Sequence, residues 1–216
     1  MNDLLGAETA PLRKSASHGE AGYERKARDF YPTEPWVTEA LCRDVEFDNR
    51  GILWEPACGD GRMAKVLDRW HAAVIASDIA DYGYGEPGHD FLSIGAVHWL
   101  GETHAGRIAA IVTNPPFDLA VQFIQRALEL TKASQGKVAI LQRHEFDAPA
   151  SNRPLFRSPF AAKLILHKRP RWVDGPDAAS PRFPYAWYLW DWAHQGPPEL
   201  RWLADPEASP ASGRLL

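Results

Sequence analysis

The sequence predicts an α/β fold: a central, mostly parallel sheet with helices on both faces and an antiparallel final strand. Three observations carry this. Short apolar runs alternate with segments of helical periodicity. The first clear apolar run ends in a glycine-rich turn that opens a helix. Two later apolar runs have no helical pattern between them, which suits an antiparallel finish to the sheet.

The elements follow in order. Residues 1 to about 25 are polar, small and without periodicity, and read as a flexible arm. Thr33 is placed to cap a helix with Glu34 and Pro35 in its first turn and Val37, Ala40 and Leu41 as its apolar stripe. GILWEPA, 51–57, is a short strand. Met63, Val66, Leu67 and Trp70 recur at helical spacing after the turn. AAVIASDI, 72–79, and RIAAIVTN, 107–114, are the next strands, and Ala120, Phe123, Ile124, Ala127 and Leu128 mark another helix. GKVAILQ, 136–142, KLILH, 163–167, and YAWYLWD, 185–191, complete the strands. The stretch from about Asp205 is rich in Pro, Ala, Ser and Gly and reads as a second flexible end. The expected organisation is one domain over 26–204 between two tails, with no internal repeat.

Composition narrows the function classes. A chain of 216 residues with 45% hydrophobic and 24% charged residues is ordinary for a folded domain. Its formal net charge of −4 excludes a uniformly basic nucleic-acid coat, so any polynucleotide contact must come from a local patch. Cys42 and Cys58 have no CxxC spacing and no nearby His pair, so no metal site is expected and free thiols in a reducing compartment are. No signal-peptide core and no membrane-length apolar run is present, so the expectation is a cytoplasmic protein without a membrane partner.

Two constellations sit where strands end, which is where an open parallel sheet binds ligands. The first is Glu55-Pro56-Ala57-Cys58-Gly59-Asp60-Gly61. Its glycines let the backbone bend sharply and approach a ligand. Asp78, at the tip of the second strand, can accept hydrogen bonds from both hydroxyls of a ribose. Glu55 ahead of the glycines argues against a phosphate, which it would repel, and for a ligand carrying positive charge. The second constellation is Asn114-Pro115-Pro116-Phe117. Two prolines hold the strand tip extended, so the Asn114 side chain and the Pro115 carbonyl are fixed acceptors able to face one amino group. Phe117 offers a flat face beside them.

EPACGDG and NPPF, in that order and about sixty residues apart, resemble the Rossmann-like S-adenosylmethionine-dependent amino-methyltransferases, above all the adenine-N6 DNA methyltransferases. DFYPT with Trp36 resembles the family's N-terminal segment that folds over the methionine end of the cofactor. His89-Asp90-Phe91-Leu92 resembles the segment that binds its adenine. The resemblance covers about residues 28–146. The compact length, with about seventy residues after the last family segment and no room for a large target-recognition domain, is similar to phage- or prophage-borne members. It implies a class I methyltransferase fold and S-adenosylmethionine as cofactor. It implies cofactor contacts from Tyr31, Thr33, Glu55, Pro56, Gly59, Gly61, Asp78, Ile79, Asp90 and Phe91, and an active site of Asn114, Pro115, Pro116 and Phe117. N6 of adenine in DNA is the expected acceptor. The same strand tip also resembles those of RNA adenine and protein glutamine methyltransferases, and a non-catalytic binding subunit that keeps the fold is a further alternative.

Between Lys137 and Arg182 stand nine basic residues against four acidic ones, Glu145, Asp147, Asp174 and Asp177. Such a local excess suits a phosphate backbone. Arg143, Lys168, Arg169 and Arg171 are the expected contacts, and Trp172 can stack on a base. Trp187, Trp190 and Trp192 are expected in the core or at a sheet edge.

Overall fold

The computed structural model describes residues 31–93, 95, 98, 100, 107–157, 159–172 and 183–205. The expected N-terminal arm, Asp29 and Phe30, the tail beyond Asp205, and Asp174, Asp177 and Arg182 of the basic segment lie outside the described residues.

Among the described residues eight strands form one sheet: β1 (Ile52–Glu55), β2 (Val74–Asp78), β3 (Glu86–Pro87), β4 (Ile108–Thr113), β5 (Lys137–Arg143), β6 (Phe160–Ile165), β7 (Tyr185–Asp191) and β8 (Glu199–Trp202). Their spatial order is β3-β2-β1-β4-β5-β7-β6-β8. The chain runs outward from β1 through β2 to β3, then returns to place β4 on the other side of β1. The crevice between the tips of β1 and β4 is therefore the topological switch point. β7 alone runs against the rest, pairing antiparallel with β5 and β6, and β8 pairs parallel with β6. The expected antiparallel strand is thus next to last. β8 was not expected, because GPPELRW has neither the length nor the alternation that marks a strand.

The residues that make the sheet also decide its two faces. Leu53, Val112, Leu141 and Trp187 pack against Val37 and Leu41 of α1 (Pro35–Asp44) and Met63 and Leu67 of α2 (Arg62–Leu67). Trp54, Ile111, Ile140 and Trp190 pack against Phe123, Ile124 and Ala127 of α3 (Ala120–Thr131). Buried indoles also find acceptors: Trp187 Nε1 donates to the Val37 carbonyl and Trp190 Nε1 to that of Leu155. No helix among the described residues is long and apolar enough to cross a membrane.

Two expectations about the helices change. α2 stops at Leu67, so Trp70 leaves the apolar stripe. It lies 43% exposed, with its indole N–H donated to Glu39 of α1. Thr33 is not the cap of α1. Glu34 holds that position without a side-chain cap bond, because its carboxylate accepts the Arg171 N–H instead, and Pro35 at the first helical position has no N–H left unsatisfied. The hydroxyl of Thr33 goes to the site instead.

Candidate active site

β1 delivers Glu55, β2 delivers Asp78 and β4 delivers Asn114 to the same end of the sheet. Between them opens a cleft of about 110 Å³. Of the residues expected to hold cofactor, Tyr31, Thr33, Glu55, Pro56, Gly59, Asp78, Ile79, Asp90 and Phe91 line it, together with Asn114 and Pro116. Gly61, Pro115 and Phe117 do not.

The glycine turn is held from within. Gly59 has φ 52° and Gly61 φ 77°, both in the left-handed region. Asp78 accepts the Gly59 N–H at 2.9 Å on one oxygen and the Ala80 N–H at 3.0 Å on the other. The acid expected to grip a ribose thus also shapes the turn, and a carboxylate keeps lone pairs for a ligand after two such bonds. Gly61 faces away from the cleft: a Cβ there would overlap the ring of Tyr84. Its smallness serves the packing of the 82–85 loop.

Glu55 is 2% exposed, and its Oε2 is buried without a hydrogen-bond partner. Burial holds its carboxyl well above the usual range, and the negative Asp78 and Asp60 push the same way. An acid so placed is at ease neutral, or ionised beside a cation. Cys58 also lines the cleft, with burial pushing its thiol up to about 12, so it is no nucleophile.

Asn114 has a defined orientation. Its Nδ2 donates to the Tyr31 carbonyl and to Thr33 Oγ1, both at 3.2 Å. A carbonyl can only accept, so the amide cannot be reversed. Oδ1 is left buried with no partner. Next to Asn114, through Tyr31, lies an aromatic group. Phe117 meets Tyr31 at 5.3 Å and Tyr185 at 6.1 Å between ring centroids, and Trp172 meets Tyr185 edge-on at 4.8 Å. The guanidinium of Arg143 sits 4.3 Å from the Phe183 ring and 5.6 Å from Phe117. The four-residue tip therefore divides its labour, with Asn114 and Pro116 on the cleft and Phe117 among the aromatics.

The basic segment is smaller than its residue count. Lys137 lies at the amino end of β5, away from the site, paired with Asp191. Lys163 is drawn inward to Asp147 at 2.8 Å and to the His144 carbonyl at 2.7 Å. Arg143, Arg169 and Arg171 remain exposed near Trp172, with Lys168 half-buried against Trp36. Tyr82, His89 and Leu119 also line the cleft. His89 belongs to the His89-Asp90-Phe91-Leu92 stretch already singled out in the sequence, whereas Leu119 had no signal beyond proximity to a strand tip. The aromatic partners Tyr185 and Phe183 come from β7 and its approach, distant in sequence from the NPPF tip.

No family model and no curated protein matches the chain. Solved structures do. A predicted O-methyltransferase from Agrobacterium tumefaciens superposes with TM-score 0.53 at 12% identity, over 83% of this chain and 90% of that one. A methyltransferase subunit of a type I restriction-modification system from Streptococcus thermophilus gives 0.55 at 13% identity, over 77% of this chain and 45% of that one. A modification subunit assigned to a type I restriction enzyme from Vibrio vulnificus gives 0.52 at 13% identity, over 83% and 48%. The chain spans about half the length of those two subunits. Strand order, the single reversed strand and these likenesses together give the chain the Rossmann-like fold of class I methyltransferases.

Proposed function

We propose that the chain transfers a methyl group from S-adenosylmethionine to an exocyclic amino nitrogen, with N6 of adenine in DNA as the preferred acceptor. One observation carries the reading: Asn114 Oδ1 is a buried acceptor with no partner, at the junction of the cleft and the aromatic group. Leaving such a group unsatisfied costs about 1–3 kcal/mol. An amino group arriving there recovers that cost.

The cofactor supplies an electrophilic methyl group. The cleft fits it: the buried, unpaired oxygen of Glu55 suits its amino group, and the remaining lone pairs of Asp78 suit ribose hydroxyls. Asp90 and Phe91 are at hand for its adenine, and Tyr31 and Thr33 for its methionine end. A planar amine is a poor nucleophile because its lone pair is spread into the ring. Asn114 Oδ1, with the Pro115 carbonyl, holds the amine protons and favours the tetrahedral nitrogen. The same acceptors stabilise the positive charge that grows as the methyl arrives. Phe117 stacks on the base and aligns it. Arg143, Lys168, Arg169 and Arg171 contact the phosphate backbone, with Trp172 beside them.

Tritium-labelled S-adenosylmethionine offered with separate DNA, RNA and protein pools tests this. Label in DNA as N6-methyladenine, lost in Asn114→Ala, supports the reading. Label in RNA or protein keeps methyl transfer and overturns the acceptor. No label in any pool, with no cofactor binding by calorimetry, overturns the enzyme reading.

A further inference from the structure

The segment 167–172 does not stand off the protein as a solvated charged loop. It lies along residues 31–36, the same stretch that lines the cleft and grips Asn114. At least four contacts join the two. The His167 ring meets Trp36 at 5.0 Å, and Lys168 Nζ lies 4.7 Å over the Trp36 ring. Trp172 meets Tyr31 edge-on at 6.2 Å. The backbone N–H of Arg171 donates to the Glu34 carboxylate at 2.6 Å. The last is directional and charge-assisted, so it holds the register of the basic residues on either side of it.

We infer that Glu34 is a positioning residue: it ties the basic strap 168–172 to the cofactor segment, so that a ligand in the cleft orders the surface that meets the polynucleotide. The inference rests on the proposed methyl transfer to nucleic acid and adds to it an order of binding. The physical chain is short. A ligand in the cleft touches Tyr31 and Thr33 and holds the segment 31–36 in place. The Glu34 backbone is fixed there too, since its carbonyl accepts the Val37 N–H at 3.0 Å to start α1. Its carboxylate then presents one fixed acceptor to the strap. With the segment displaced, Arg171 N–H loses that partner and Trp172 loses its edge-on contact with Tyr31, so the strap is no longer held to the cofactor segment. Linkage makes the effect reciprocal, so polynucleotide strengthens cofactor binding by the same factor.

The test uses the full chain, S-adenosylhomocysteine as an unreactive cleft ligand, and a fluorescent adenine-containing DNA strand. DNA affinity is measured with and without the cleft ligand, and the ratio is the readout. In the unaltered protein S-adenosylhomocysteine should tighten DNA binding by about fivefold or more. Glu34→Ala should bring the ratio near one, and Glu34→Gln, which keeps a neutral acceptor, should restore most of it. Arg171→Pro, which deletes the N–H, should also abolish the ratio. Arg171→Ala, which deletes only the guanidinium, should weaken DNA binding with and without ligand yet keep the ratio. A full ratio in Glu34→Ala and Arg171→Pro overturns the inference. So does an unaltered protein that methylates DNA but binds it equally well without ligand. If it neither binds nor methylates nucleic acid, the proposed function itself falls, and the coupling with it.

Discussion

Asn114 and Glu55 hold the two unpaired oxygens of the cleft, and each carries a separate prediction. For Asn114→Ala, kcat should fall on the order of a hundredfold or more, as for other fixed dipoles aimed at transition-state charge. Cofactor affinity should fall by a smaller factor, since Tyr31 and Thr33 keep their own contacts with the cleft. Single-turnover rates beside calorimetry separate the two. Glu55 should reveal itself through pH. Its folded-state value is raised by burial above the ordinary carboxylate range. The stability associated with the neutral carboxyl is therefore intact below that ordinary range and is lost as pH rises through the raised folded-state value. Melting temperature of the ligand-free protein should fall across that window, and Glu55→Gln should flatten the fall. Binding a cationic amino group must release the Glu55 proton, so cofactor affinity should rise with pH over the same window. Calorimetry in buffers of different ionisation enthalpy should register the proton, and Glu55→Gln should lose it.

The turn between β1 and α2 illustrates how one short element gives two glycines different surroundings. Two glycines at the strand tip signal a tight turn, and both have positive φ. Gly59 faces the ligand cleft, whereas Gly61 makes room for Tyr84. Gly61→Ala should destabilise the protein by about 1–3 kcal/mol for its left-handed backbone, with overlap against Tyr84 in addition. Tyr84→Ala in the same chain should recover the overlap portion but not the backbone portion. A double-mutant cycle by thermal or urea unfolding measures that difference. A double variant whose loss equals the sum of the two single losses would deny Tyr84 any part in the role of Gly61.

The whole molecule carries a net charge of −4, so the proposed function requires polynucleotide to be drawn to one place on it. Arg143, Lys168, Arg169 and Arg171 are proposed to form that place, whereas Lys137 and Lys163 pair with Asp191 and Asp147. If all four neutralise phosphates of a single strand, log affinity against log salt should slope by about −3, near −0.7 per contact. Each Arg→Ala among them should reduce the slope by about 0.7. Lys137→Ala should leave it unchanged, because that residue lies at the opposite end of the sheet. A slope that Arg169→Ala and Arg171→Ala do not alter would move the polynucleotide to another face.

Local chemistry by itself determined the alternating elements, the glycine turn, the acid tips Glu55 and Asp78, and the rigid Asn114-Pro115-Pro116-Phe117 tip. Each of these depends on residues within a few positions of one another, which is why sequence sufficed. Only the tertiary structure decided the rest. Thr33 looked like a helix cap because Ser and Thr cap helices locally, but Asn114, eighty-one residues away, takes its hydroxyl. Trp70 looked like core because helical spacing has no mark for where α2 ends. The basic run looked uniform because charge along a chain does not tell which side chains an acid will turn inward. β7 inserts between β5 and β6, which brings Tyr185 and, at its approach, Phe183 beside Phe117 and Arg143. Hydrophobic pattern specifies that a strand is buried, but strand order is settled by which faces pack together, and that is a property of the assembled sheet.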